Sequence, residues 1–166
     1  MKSNICVVCL NNDFAKDVAH KFSDATDMYF ADVAELIKFD LLDIDKAIEV
    51  CGLDYVKKIE RNKVKNVVTY DNTCLCMDYT LLNDDENLKA IKENCVIVCI
   101  DLSLATYKQI LPNDIHNIYE NKLNLSMFST RKKIIKGYSD IIVAYKPGDN
   151  ILNKFSNKLV EYYKQK

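Results

Sequence analysis

Glycine is nearly missing from this chain. Three occur in 166 residues, at Gly52, Gly137 and Gly148, beside two prolines, no tryptophan and only two arginines, Arg61 and Arg131. With none before residue 52, no glycine-rich phosphate cradle can follow a first strand. Such a turn needs backbone N–H groups to converge where a Cβ would stand, and left-handed φ values that glycine adopts cheaply. The scarcity of glycine and proline, with no repeat or low-complexity tract, leaves nothing that reads as a linker, so one domain is expected over residues 1–166. Long hydrophobic runs are missing too. None reaches the roughly 18 residues that cross a bilayer, which removes the membrane as a partner. A net charge of −1 lacks the basic excess that neutralises a phosphate backbone, which removes nucleic acid. The local cluster RKKIIK at 131–136 reads as a solvated helix face. The opening MKSNICVVC has no small-residue cleavage site and reads as a first strand rather than a signal peptide, which points to the cytoplasm.

Cysteine is the exception, with seven. The odd count without secretory signals argues against a disulfide framework. Six of the seven, Cys6, Cys9, Cys74, Cys76, Cys95 and Cys99, lie in apolar runs where cysteine acts as a small hydrophobe. CVVC has zinc-like spacing, but residues three apart on a strand face opposite ways, so no metal site is expected. A nucleophilic Cys9 or Cys76 working with His20 or His116 is the least favoured chemistry, since neither histidine sits in a recognisable motif.

What is present is an alternation of short apolar runs with amphipathic stretches. NICVVC (4–9), MYFAD (28–32), TCLCM (73–77), CVIVCI (95–100) and DIIVAY (140–145) predict five strands, the longer ones apolar throughout, as strands covered on both faces are. Phe14, Val18 and Phe22 recur at helical spacing, as do Leu88 with Ile91, and Phe155, Leu159 and Tyr162 or Tyr163. The pattern predicts an α/β domain of three layers, α/β/α, with a five-stranded parallel sheet. Ligand sites in such folds lie beyond the carboxyl ends of the strands. The loops of interest are therefore 10–14, 32–37, 77–82 and the irregular polar stretch 112–130, which reads as a flap or short helix pair.

Four segments together resemble the shikimate kinase family, a branch of the P-loop nucleoside-triphosphate-hydrolase-like fold. FADVAELI (30–37) is similar to the family's (I/L)DTDELI, and CGLDYVKKIERNKV (51–64) to its GExxFRxxExxxL. The run from Asn72 to Ser103 follows naVIatGGGavlxxenxxxLkxxgxvvyLdxS, and STRKKIIKGYSDIIV (129–143) follows xxRxplYxxxADixv. The resemblance implies a kinase that moves phosphate from ATP, with Mg²⁺, to shikimate or a related small hydroxy acid.

The chain departs from that family where the chemistry lies. Opposite GxxGxGK(S/T) stand residues 9–17, with Asn11, Asn12 and Asp13 in the phosphate turn and Lys16 reaching the family lysine only after a one-residue slip. Asn12 or Asp13 is expected to cap the following helix and put an internal oxygen where phosphate would bind. Asp32 matches the first carboxylate of DxD, the one near Mg²⁺, but the second position is Ala34. The GGG turn is replaced by Asp78, Tyr79 and Thr80, and neither arginine lies where the family's lid supplies them. Arg131 matches the arginine that grips the substrate carboxylate, while Lys57 and Glu60 stand for the arginine and glutamate of FRxxE. Lysine keeps the charge but not the planar two-point grip. The expected function is a pseudoenzyme that has lost ATP binding and acts by binding a small carboxylic acid or a protein partner. No cofactor is expected. The alternative is an active, divergent shikimate kinase using ATP and Mg²⁺, with Lys16 and Asp32 as its working residues.

Overall fold

A computed structural model describes residues 2–111 and 125–165. Its elements run β1 (Asn4–Cys9), α1 (Asn12–Thr26), β2 (Tyr29–Asp32), α2 (Val33–Leu41), α3 (Ile44–Cys51), α4 (Leu53–Val67), β3 (Thr73–Cys76), a 3₁₀ turn (Tyr79–Asn83), α5 (Asp85–Asn94), β4 (Cys95–Leu102), α6 (Leu104–Ile110), α7 (Phe128–Tyr138), β5 (Ile141–Tyr145) and α8 (Ile151–Lys164). The five strands pair in the order β2-β3-β1-β4-β5, all parallel.

Alternation along the strands splits the core in two. On one face Ile5, Val7 and Cys9 join Val18 and Phe22 of α1 and Phe155 and Leu159 of α8. On the other Cys6 and Val8 meet Ile37 of α2, Val64 of α4, Ile91 of α5 and Ile135 of α7. Cys6 and Cys9 thus lie on opposite faces, as their spacing requires. The six cysteines of the apolar runs are buried, two each on β1, β3 and β4, whereas Cys51 on α3 is exposed. Phe155 is wholly buried and its ring centroid lies 4.6 Å from that of Phe22. Burying a side chain of that size contributes about 2–3 kcal/mol.

One polar side chain anchors the opposite, amino-terminal end of the sheet. Buried Asn4 donates to the carbonyls of Val68, at 3.1 Å, and Tyr70, and accepts from Thr73 N–H at 3.0 Å. It ties the start of β1 to the entry of β3 and leaves no amide atom to water.

The segment between β2 and α4 differs from its sequence reading. Asp32 caps a helix that begins at once, so 32–37 is not a loop; α3 follows, and none of its residues is buried. Gly52 sits at φ 85 between α3 and α4, a conformation that a side chain would strain. Of the expected flap, 112–124 lies outside the described residues, and 128–130 is the first turn of α7 rather than irregular chain.

Candidate functional site

Because all strands are parallel, Cys9, Asp32, Cys76, Leu102 and Tyr145 end on one edge of the sheet. From β1 the chain crosses toward β2, and from β4 toward β5, so the order reverses between adjacent β1 and β4. That reversal opens a crevice at their carboxyl ends.

The turn leaving β1 is short. Strand pairing runs as far as Cys9 opposite Ile100, and α1 begins at Asn12, leaving only Leu10 and Asn11 between. Asn11 is extended (φ −103, ψ 108) and its side-chain oxygen accepts from Phe14 N–H at 2.8 Å. The cap is therefore Asn11, not Asn12 or Asp13. Both of those lie inside the first turn of α1, where Asp13 complements the positive helix end. All three types cap well. The choice falls to Asn11 because β1 releases the chain so early that its extended residue directly precedes the helix.

Lys16, one turn further on, is held between two acids. Its ammonium lies 3.1 Å from Asp32 Oδ2 and also bonds Glu35 Oε1. These contacts, Glu35's first and Asp32's second, push its pKa above the ordinary lysine value. Asp32 is only 5% exposed at its side chain and uses its other oxygen to cap α2 through Glu35 N–H at 3.1 Å. Cys76 completes this corner, its sulfur 3.8 Å from Asn12 Oδ1. Burial first, and the charge of Asp32 next, push the Cys76 thiol up, while burial raises Cys9 to about 12. Thiols so held are not the thiolates that nucleophilic catalysis needs. His20 is exposed, 3.6 Å from Asp24 and edge-on to Phe30, and joins neither cysteine; His116 lies outside the described residues.

On the other side of the crevice the arrangement is inverted. Asp101, near the end of β4, receives Lys132 Nζ at 2.7 Å and Lys136 Nζ at 2.8 Å. Burial would raise its carboxyl, but the two ammonium hydrogen bonds win and hold it below the usual range. Lys132 also donates to Leu102 O at 2.8 Å. The basic run is thus not a purely solvated face. Lys132 and Lys136, four residues apart, turn inward to one acid.

Of the resemblance's substrate residues, Arg131 is on α7 next to Lys132, whereas Lys57 is on α4. The Arg131 guanidinium lies 5.9 Å from the centre of the Tyr79 ring, with Nη2 3.6 Å from Met127 Sδ. Asp78 caps the 3₁₀ turn, accepting from Thr80 N–H at 2.8 Å and from the Thr80 hydroxyl. Glu60 on α4 is raised, first by burial and then by nearby Asp84, against the pull of Lys57 and Arg61; Lys57 itself is exposed. Among the described residues no group of three metal-ligating side chains comes together. No described helix is long and apolar enough to cross a membrane.

No family model matches this chain, and no curated protein matches it. Solved structures do. The shikimate kinase from Aquifex aeolicus vf5 is similar at TM-score 0.75 and 21% identity over 98% of this chain and 99% of that one. The shikimate kinase from Acinetobacter baumannii in complex with shikimate is similar at TM-score 0.75 and 12% identity, over 98% and 93%. An uncharacterized protein from Eubacterium ventriosum ATCC 27560 is similar at 0.59 and 11% over both whole chains. The fold is the one that these shikimate kinases have.

Proposed function

Starting from a shikimate kinase-like fold, we propose that this protein transfers no phosphate and acts by binding, with Arg131 as the group that receives a small carboxylic acid. The observation that carries this reading is the glycine-free β1–α1 turn of two residues, capped by its own Asn11. A GxxxxGK loop holds a triphosphate by wrapping about six residues of backbone around it. Here the strand hands directly to the helix, Phe14 N–H is already bonded, and Asp13 adds negative charge to the first turn. ATP does not fit this turn. Lys16, the nearest cation, is spent on Asp32 and Glu35, and Asp32 is engaged by both Lys16 and the α2 backbone, away from the role of a Mg²⁺ ligand. Ala34 offers no carboxylate to orient a hydroxyl nucleophile.

Arg131 supports the binding half of the proposal. It lies over Tyr79 and belongs to α7, the helix whose Lys132 and Lys136 leave one net positive charge around Asp101, and its planar guanidinium suits a two-point grip on a carboxylate. A coupled ADP-release assay with ATP, Mg²⁺ and shikimate, run beside a thermal-shift titration, tests both halves. The expected result is no ADP, no shift with Mg-ATP or ADP, and stabilisation by shikimate that Arg131→Ala abolishes. ADP formation that disappears in Lys16→Ala and Asp32→Asn would overturn the proposal in favour of a divergent kinase. A shikimate shift unchanged in Arg131→Ala would remove Arg131 from it.

A further inference from the structure

β2 ends the sheet, and among the described residues its outer side has no neighbouring strand. Within a strand, alternate residues direct N–H and C=O to the same side. Tyr29 N–H donates to Asn72 O at 2.9 Å, and Tyr29 and Ala31 pair opposite Thr73 and Leu75. The N–H and C=O of Phe30 and the N–H of Asp32 therefore face outward. Proteins usually blunt such an edge by keeping the strand very short or with charged side chains, proline or a bulge. Tyr-Phe-Ala-Asp is short and ends in an acid, but it has no lysine or proline and its register with β3 is unbroken.

Along this edge runs a groove of about 760 Å³. Its walls are apolar, from Tyr29, Leu36 and Tyr70, and the two tyrosines are 75% and 57% exposed. Its charges sit at the two ends. Asp71 stands beside Tyr70, while Asp32 and Glu35 at the far end share the single ammonium of Lys16. No lysine or arginine lines the groove among the described residues. An occupant that fits must supply backbone hydrogen bonds to the strand, an apolar centre and positive ends.

We propose that the outer edge of β2 docks an extended peptide segment of a partner protein, apolar in its middle and basic at both ends, as a sixth strand. Backbone pairing to Phe30 and Asp32 supplies the common affinity, and the end charges set which segment is accepted. Four strand residues span about 13 Å at the usual strand rise, so a partner segment of five to seven residues covers the groove. The proposal is independent of Arg131 and of any phosphate chemistry.

The probe is a labelled nine-residue peptide of alternating valine and threonine with two lysines at each end, read by fluorescence anisotropy on the whole chain. It is expected to bind, to lose about tenfold or more in affinity to Asp71→Lys, and to lose all binding when its alternate backbone amides are N-methylated. Asp71 lies on an exposed turn, and Asp71→Asn, with a smaller loss, keeps the test valid if the reversal disturbs folding. Equal binding of the N-methylated peptide, or of one with glutamate ends, overturns the proposal. So does a protein that binds no peptide but dimerises in sedimentation through the Tyr29 edge, which would make the occupant a second copy.

Discussion

The two sides of the crevice are electrostatic inverses. Beside β1 and β2 one lysine, Lys16, is clasped by two carboxylates, Asp32 and Glu35; beside β4 one carboxylate, Asp101, is clasped by two lysines, Lys132 and Lys136. Each ion is more than neutralised, so the first corner is left with one excess negative charge and the second with one excess positive. The corner after β1 therefore disfavours anions. The corner that attracts them is carried by α7 together with Arg131. The difference teaches that one crevice carries opposite net charge on its two sides, negative beside α1 and positive beside α7.

Removing the centre of each cluster tests that inversion. The largest effect is expected from Asp101→Asn, which leaves Lys132 and Lys136 facing each other. Losing two charge-assisted hydrogen bonds on a side chain 16% exposed should cost about 2 kcal/mol in urea unfolding. The same variant changes the acid limb. Asp101 titrates lower in the folded than in the unfolded chain, so its contribution is complete above the ordinary carboxylate value of about 3.9 and fades as pH falls through the depressed one. Stability should drop less between pH 6 and pH 3 in Asp101→Asn than in the parent; an equal drop would remove Asp101 from the acid response. Next comes Asp32→Ala, which deletes the α2 cap and one clasp on Lys16, for about 1 kcal/mol. Restoration by Asp32→Asn would assign the loss to the cap, and a persistent loss to the charge.

The smallest effect is expected from Lys16→Met. Its ammonium is solvent-accessible, so its melting temperature should fall less than that of Asp32→Ala. A larger fall than in Asp101→Asn would break the symmetry argued above.

The frame was legible because burial on both faces writes itself as unbroken apolar runs. NICVVC and CVIVCI became β1 and the body of β4, and Phe14, Val18 and Phe22 face one core cluster as their spacing predicts. What escaped was α3: Ile44, Ala47, Ile48 and Cys51 do recur at helical spacing behind the cap at Asp43, but in a segment of eight residues, none of them fully buried, that pattern is short and easily read as loop. The site was half legible. The missing glycines marked the β1 turn, but three consecutive capping residues cannot say which caps until strand pairing decides where β1 stops. The two ion clusters join elements far apart in sequence, Lys16 to Asp32 and Asp101 to Lys136. No local spacing reports such pairings, although Lys132 and Lys136 at i, i+4 were the available hint.

The placement of the thiols gives the molecule a chemical record of its own opening. Cys51 lies on the surface of α3, while the three interior strands β3, β1 and β4 hide two cysteines each. An alkylating reagent should therefore consume one equivalent at once and the other six only as fast as the sheet breathes. Peptide mapping of the labelled pairs would time the release of each interior strand separately, without a probe having been added to the chain.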